Sequence, residues 1–407
     1  MQEAIFTAAL GVGQPWCVES VAFDAEAKRL DIHLAFARGS KFEVDGAACP
    51  VHDTVQKRWR HLNFFQHECY LHARVPRVNT RDGRVLMVMP PWAGKLGGFT
   101  LLFEALLIQL CKHMPVRQVA QMVDADERKL WRMLDVYVHA ARFSEDYSEV
   151  TAVGMDETSR ARGHHYITLF VDVLLRRTIH VAEGKGADTV KAFVEDLAQH
   201  GGKPEHITDV SCDMSPAFIK GVTEHLPNAK ITFDKFHILK IINEAVDDVR
   251  REEAKTNPLL AGSRYVFLKN EANLTAKQRE KKAELQVSGL NLQSMEALRM
   301  RENFQQLYHV FTTGQFVKYL RQWVDWVQSC GLKPMEAAAN MVLRHWDGIV
   351  RWKQSQINNG ILEGLNSTVQ AAKRKARGYK LDHLITMTYL LTGKLNLQTI
   401  NPHLKPT

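Results

Sequence analysis

The sequence contains no CxxC pair and no long apolar run. Its six cysteines, at positions 17, 49, 69, 111, 212 and 330, are scattered, so neither a disulfide framework nor a thiolate metal site is indicated. No apolar run reaches the roughly 18 residues needed to span a bilayer. Met1–Leu10 also lacks the basic start of a signal peptide. We therefore expect a cytoplasmic protein without a membrane partner.

Length and charge narrow the class of protein further. A chain of 407 residues, with 45% hydrophobic and 24% charged residues, predicts a folded protein of two or three domains. The 53 Lys and Arg residues outnumber the 45 Asp and Glu residues, which gives a net charge of +8. This balance favours a polyanionic partner such as nucleic acid, although many ordinary enzymes are equally basic.

Residues 1–92 have the pattern of a small β-rich module. Leu30–Phe36 and Tyr70–Val75 alternate between apolar and polar residues, and Asp45-Gly46 supplies turn chemistry. The stretch "PPWAGKLGG" at 90–98 is rich in Pro and Gly, and the pattern becomes helical beyond it. We therefore interpret it as a linker.

Residues 93–145 contain three blocks with helical spacing of their apolar residues: Leu101–Cys111, Val116–Met122 and Arg128–Ala140. The short middle block, a turn at 123–125 and a longer basic block predict a helix-turn-helix. Asp126 is expected to cap the last helix, and Asp124 to take a left-handed conformation. In the functional interpretation three cations face DNA: Arg128, Lys129 and Arg132. The alternative is a plain three-helix connector.

Beyond Val150 the pattern is that of an α/β domain with a mixed sheet. The sequence predicts strands over "VTAVGMDE", "HHYITLFVDV" and "RRTIHVAEG", a helix over Asp188–His200, then "HITDVSCD", a helix from Pro216 and "KITFD". Asp156 and Asp213 are each predicted to end a central strand, so that both carboxylates meet at one edge of the sheet. A divalent cation is the most effective partner for two such acids.

A third acid is expected from a helix beside the sheet. Glu363 follows a predicted turn at Asn359-Gly360 and opens a long helix, with Asn366 on the same face. Four cations follow along this helix and are expected to face phosphate: Lys373, Arg374, Lys375 and Arg377. Any single acid in such a position is most often a turn, a cap or a surface charge. Three in this topological order favour two-metal phosphodiester chemistry.

Two further features have competing interpretations. Asp234 precedes a predicted helix and is either a helix cap or an auxiliary acid beside the metals, and His237 is expected to be packed or to face DNA rather than to bind metal. The helical spacing of four tryptophans favours the core, although one could stack on a displaced base: Trp323, Trp326, Trp346 and Trp352.

Several motifs, in order, resemble the DDE transposases of insertion sequences of the ISL3 family. The matching stretches are "CPVHDT" (49–54), "WRHLNFFQHECYLHARVPRV" (59–78), "MPVRQVAQMV" (114–123), "VGMDETS" (153–159), "DMSPAFIKGV" (213–222), "FDKFHILK" (233–240) and "LEGLNS" (362–367). The resemblance implies a bacterial, nucleoid-associated enzyme with a ribonuclease-H-like catalytic domain over 146–407. It implies Asp156, Asp213 and Glu363 as the catalytic, metal-binding acids, with Mg²⁺ or Mn²⁺ as cofactor. The separation of about 150 residues between Asp213 and Glu363 is long for a bare core of this kind, and the Lys-, Glu-, Leu- and Gln-rich composition predicts a helical insertion at about 250–350.

The resemblance also implies an activity and partners. A transposase binds the terminal inverted repeats of its element, cleaves at the ends and joins the freed 3′-hydroxyl to target DNA, typically as a homodimer or higher homo-oligomer. The alternatives are a catalytically silent DNA-binding protein of this descent and a junction-resolving or ribonuclease-type hydrolase. The insertion is expected to make dimer contacts, to clamp DNA or to be purely structural.

The first module departs from the pattern of this family, whose members usually carry a zinc ribbon with two CxxC pairs. The corresponding positions here hold Phe42 with Asp45, and Thr80 with Gly83, none of which supplies a thiolate. Five other side chains could in principle collect zinc: Cys49, His52, His67, Cys69 and His72. We expect a degenerate, zinc-ribbon-like module without zinc.

Overall fold

The computed structural model describes residues 2–161, 163, 165–287, 292–355, 357 and 360–405. The chain divides into two compact units, one formed by Met1–Glu145 with Val369–Thr407 and the other by Asp146–Thr368. Among the described residues, no helix has both the length and the apolar character required to cross a membrane.

The first unit begins with a helix and a six-stranded sheet. Its elements are α1 (Gln2–Leu10), β1 (Trp16–Asp24), β2 (Arg29–Phe36), β3 (Lys41–Val44), β4 (Ala47–Phe64), β5 (His67–Asn79) and β6 (Val85–Met87). The strand order is β1-β2-β5-β4-β3, with β6 on β5, and only the β2–β5 pair is parallel. The β-rich prediction is confirmed. Asp45 and Gly46, at the turn between β3 and β4, have φ of 51° and 72°.

The segment 90–98 is not the linker that its composition predicts. Its backbone is irregular, but the ring of Trp92 lies 5.0 Å from that of Trp16 in the sheet. Gly94 is so closely packed that an added Cβ would lie 2.3 Å from a carboxylate oxygen of Glu104. Pro and Gly predict the turns correctly, but the packing of Trp92 depends on residues distant in sequence.

The helix-turn-helix prediction is confirmed. The helices are α2 (Leu101–His113), α3 (Val116–Met122) and α4 (Glu127–Phe143). Asp124 has φ of 48°, the left-handed conformation expected in the turn. Asp126 is the N-cap of α4, and its Oδ1 accepts a hydrogen bond of 2.7 Å from the backbone N–H of Arg128.

The C-terminal segment packs on these helices within the first unit, whereas the sequence assigned it to the catalytic domain. Its helix is α15 (Leu381–Thr392). The Thr386 hydroxyl donates to Asp135 at 2.7 Å, and the buried Asn401 amide donates to the Leu101 carbonyl and to the Tyr137 hydroxyl. These contacts join residues far apart in sequence, so no local pattern predicts them.

The second unit contains a mixed five-stranded sheet. Its strands are β7 (Ala152–Ala161), β8 (His165–Asp172), β9 (Arg177–Glu183), β10 (Asp209–Cys212) and β11 (Lys230–Phe233), in the order β11-β10-β7-β8-β9. The hairpins β7–β8 and β8–β9 are antiparallel, and β10 pairs in parallel with both β7 and β11. The α5 (Ala187–Gln199) and α6 (Pro216–His225) helices alternate with these strands, as the sequence predicts.

All the secondary-structure elements described between Lys235 and Ser355 are helices, as the sequence predicts for this segment. The helices are α7 (Lys235–Glu253), α8 (Arg264–Leu268), α9 (Ala276–Val287), α10 (Gln293–Leu307), α11 (Thr313–Gln328), α12 (Lys333–Arg344) and α13 (Trp346–Ser355), and they are followed by α14 (Gly360–Lys375). Their apolar core includes Trp323, which is 1% exposed.

Candidate active site

Three aspartates lie at one edge of the sheet in the second unit. In the parallel pairing, Ser211 on β10 is opposite Gly154 on β7, and Asp213 and Asp156 each follow two residues later. Cys212 is opposite Phe233 on β11, and each strand is followed at once by an aspartate, Asp213 or Asp234. Because parallel strands end at the same edge, the register brings the three carboxylates to one place.

Asp156 differs from the prediction in one respect, because it does not end its strand. It lies in the middle of β7, opposite Leu169 on β8, and the antiparallel hairpin continues to Ala161. Only the parallel pairing of β7 with β10 stops earlier, at Gly154. The polar residues that follow Asp156 therefore continue strand β7, because this stretch pairs with β8.

The surroundings of Asp156 combine burial with nearby negative charge. Burial raises the pKa of this carboxyl to about 6, and the charge of Asp234 acts in the same direction. The side-chain amide of Asn366 donates to Asp156 Oδ2 at 2.5 Å, and this bond and the nearby His237 oppose the rise of the pKa. A further positive charge nearby would stabilise the ionised form of a carboxylate in such surroundings.

The imidazole of His237 faces these acids. Its Nδ1 donates to Asp234 Oδ2 at 3.0 Å, and this hydrogen bond raises the pKa of His237, with smaller contributions from Asp234, Asp156 and Asp213. Asp234 is also the N-cap of α7, since its Oδ1 accepts from the backbone N–H of Phe236 at 3.0 Å. The predicted helix cap is confirmed. The pairing of His237 with acids at the sheet edge was not predicted, although the spacing DxxH at a helix start could have indicated it.

Helix α14 packs directly on β7. An added Cβ on Gly154 would lie 2.4 Å from Leu362 Cδ1, so the absence of a side chain at this strand position permits the close approach of the helix. Leu362 is buried, Asn366 contacts Asp156, and Glu363 on the same helix is exposed. The predicted turn at Asn359-Gly360 falls partly outside the described residues. The role of Gly154 was missed, and the only signal for it was a glycine inside a strand pattern.

The donor set at this edge suits a hard divalent cation. The Oδ1 of Asn366 is a buried oxygen without a hydrogen-bond partner in the described part of the chain, and it belongs to the side chain that contacts Asp156. Carboxylate and amide oxygens are the ligands that Mg²⁺ and Mn²⁺ prefer. Within the described ranges, however, no three His, Cys, Asp or Glu side chains form a group able to hold a metal ion. The convergence of Asp156, Asp213 and Glu363 on one metal cluster stays a prediction.

Comparison with known proteins identifies the relatives of this chain. Residues 153–388, more than half of the chain, match the ISL3 family model described as a transposase. The chain belongs to the ISL3 transposase family. It is 27% identical over 385 residues to the transposase for insertion sequence element IS1001 of Bordetella parapertussis, covering 91% of this chain and 93% of that protein. It is 26% identical over 371 residues to the transposase for IS1557 of Mycobacterium tuberculosis, covering 83% of this chain and 81% of that protein.

The DNA-binding domain of this ISL3 transposase is the helix-turn-helix, since residues 88–138 match the helix-turn-helix model of the family. Arg128 and Arg132, two of the predicted DNA contacts, are exposed on α4. Lys129 differs from them. Its Nζ lies 3.7 Å from the centre of the Phe99 ring, and burial lowers its pKa. In the structure Lys129 is a packing residue, because helical geometry turns it toward the chain that precedes α2.

The region of the family's zinc finger lies in the first sheet, where residues 47–80 match that model. Cys49 and Cys69 are buried, and burial raises the pKa of the Cys69 thiol to about 12. His72 Nε2 contacts Asp31 Oδ1 at 2.5 Å, and His52 contacts Asn79 at 3.4 Å. Two of the five possible zinc ligands, His52 and His72, thus contact other side chains.

Proposed function

We propose that this transposase binds the terminal inverted repeats of its own insertion sequence, cleaves the DNA at those ends and transfers the 3′-hydroxyl strands to target DNA. The observation that supports this best is the alignment of Asp156 and Asp213 at one edge of the sheet, with Asn366 of α14 hydrogen-bonded to Asp156. The strand order and directions are those expected of a ribonuclease-H-like core, which we propose for the second unit.

We assign catalysis to Asp156, Asp213 and Glu363 as ligands of Mg²⁺ or Mn²⁺, with Asp234 and Asn366 as auxiliary residues. Bound divalent ions would supply charge stabilisation to the attacking and leaving oxygens of the phosphodiester. The chain itself provides placement. The strand β7 positions Asp156, the Asn366 amide donates to one of its oxygens, and the Asp234–His237 pair limits the negative charge nearby.

DNA contacts come from two regions in this proposal. Arg128 and Arg132 on α4 contact the terminal repeats. The basic end of α14 and the residue beyond it contact backbone phosphate through Lys373, Arg374, Lys375 and Arg377. Because an element has two ends that must be joined together, we propose a homodimer or a higher homo-oligomer as the active form.

Mapping nicks on a DNA fragment that carries the repeats flanking the gene tests this function. We expect Mg²⁺-dependent cleavage at the repeat boundary that leaves a 3′-hydroxyl, and joining of that end to a second DNA. The Asp156→Asn variant should bind the fragment and leave it uncut. Specific binding by the unchanged chain without cleavage under any divalent metal would favour the catalytically silent alternative. Cleavage by Asp156→Asn at the normal rate would remove the assignment of the acids.

A further inference from the structure

A cavity of about 920 Å³ opens in the second unit beside the first turn of α7. The same turn carries two residues of the candidate active site: its N-cap, Asp234, and His237. Lys235 and Phe236, the two residues between them, line the cavity. The volume lies within the roughly 300–1,000 Å³ typical of ligand sites. The cavity therefore lies next to the candidate active site, but none of the acids of that site lines it.

The cavity combines exposed aromatic surface with unpaired cations. Phe236 is 47% exposed, and the Trp352 ring is half-buried with the Tyr308 ring 4.7 Å away at its edge. Lys235 Nζ lies 5.4 Å from the centre of the Phe236 ring and 5.5 Å from that of Trp352. The wall contains two acids, Glu271 and Glu302, and Lys282 Nζ donates to a carboxylate oxygen of each, at 2.5 and 2.9 Å. Lys235 and Arg299 form no ion pair with any carboxylate in the described part of the chain.

Two buried polar groups of the wall are also unsatisfied. The Tyr308 hydroxyl and Arg301 Nε have no hydrogen-bond partner among the described residues, although Tyr308 is 8% and Arg301 1% exposed. Both side chains line the cavity. Buried polar groups are nearly always paired in folded proteins, so an unpaired donor in a cavity wall indicates a polar ligand.

We propose that this cavity binds one unpaired deoxynucleotide of the DNA end that is held at the candidate active site. Every nucleobase has a π-face that can stack on Trp352 or Phe236, and the half-buried Lys235 and the exposed Arg299 match the charge of its phosphate. The unpaired Tyr308 hydroxyl and Arg301 Nε supply donors for the base or the sugar. Removing one base from the duplex would direct the strand that follows toward the acids. This inference rests on the proposed function.

The test uses the full chain without divalent metal, so that binding is measured and cleavage is not required. DNA fragments carry the terminal repeat with 2-aminopurine, a fluorescent base, placed in turn at each position around the boundary. We expect one position where the unchanged chain quenches the fluorescence. At that position the fluorescence should be higher by about threefold or more with Trp352→Ala, because stacking of the base on the indole ring is lost. Trp326→Ala is the matched control, since Trp326 is 36% exposed on another helix and does not line the cavity.

A second measurement compares affinities for two versions of the fragment. Trp352→Ala should weaken binding about fivefold or more when the base at that position is present, and should have no effect when an abasic residue replaces it. Equal fluorescence with Trp352→Ala and Trp326→Ala at every position, or equal loss of affinity for both fragments, would overturn the proposal. Specific binding and cleavage by the unchanged chain would then still support the proposed function, so the two failures are distinguishable.

Discussion

Asp156 is the residue whose surroundings are most unusual for its type. Its pKa in the folded chain, about 6, lies above the ordinary value of 3.8 because the side chain is buried near Asp234. A group whose folded pKa is raised contributes stability at low pH, and this contribution is lost as the pH rises through the folded pKa. Between about pH 4 and 6, the charge on Asp156 therefore lowers the free energy of unfolding.

Asp156→Asn should consequently stabilise the metal-free chain at pH 8. The substituted amide keeps an oxygen to accept from Asn366 and carries no charge, so we expect the free energy of unfolding to rise by about 1–3 kcal/mol. At pH 4 the difference should nearly vanish, because the aspartic acid is then protonated too. Urea denaturation at the two pH values measures it. Addition of Mg²⁺ should raise the melting temperature of the unchanged chain at pH 8 and leave that of the variant unchanged. A variant less stable at pH 8 would contradict this description of the site.

Gly154 gives a second prediction for a single residue. Gly154→Ala places a Cβ against Leu362, so we expect a displaced α14, about 1–3 kcal/mol lower stability and slower strand cleavage with intact end binding. Combining it with Leu362→Ala should restore part of the rate by removing the clash. Gly364→Ala on the same helix is the control, since nothing lies within 4 Å of its added Cβ. Equal rates for Gly154→Ala and Gly364→Ala would show that the close packing of α14 on β7 is unimportant.

At the scale of one element, helix α4 carries both a proposed DNA contact, Arg132, and a packing residue one helical turn earlier, Lys129. Arg132→Ala should weaken binding to the terminal repeat and lower the salt dependence of log K by about 1, the loss of one phosphate contact. Lys129→Ala should leave that slope unchanged and lower thermal stability, because Lys129 packs over Phe99. Binding titrations at several salt concentrations decide between them. Identical slopes for the unchanged chain and Arg132→Ala would remove Arg132 from the interface.

The elements that the sequence predicts well are those determined locally. Helix α3 begins and ends at the predicted residues, Asp124 has its left-handed backbone and Asp126 caps α4, because spacing and turn chemistry act within a few residues. The predictions that failed depended on partners distant in sequence. The strand continues past Asp156 because it pairs with β8, and the segment 90–98 is attached to the first sheet because Trp92 packs on Trp16.

For the whole molecule, the sequence could predict the order of the domains along the chain but not every segment that packs against them. The boundary near residue 145 follows from the change of pattern from helix to strand, and the division into units falls at the same place. The inclusion of Val369–Thr407 in the first unit rests on contacts such as that of Asn401 with Leu101, about three hundred positions away. The alignment of Asp156 with Asp213 could be predicted because strand order and register determine it. The exposed position of Glu363 could not, because it depends on how α14 packs.

In the proposed mechanism, three acids far apart in the chain bind the same catalytic metal ions, and Glu363 is the one with the least support from contacts. Strand cleavage by Glu363→Cys in Mg²⁺ and in Mn²⁺ tests it most directly, because a thiolate is a poor ligand for Mg²⁺ and a better one for Mn²⁺. We expect full binding of the terminal repeat, no cleavage in Mg²⁺ and partial recovery of cleavage in Mn²⁺. Cleavage by Glu363→Cys in Mg²⁺ at the rate of the unchanged chain would contradict this mechanism.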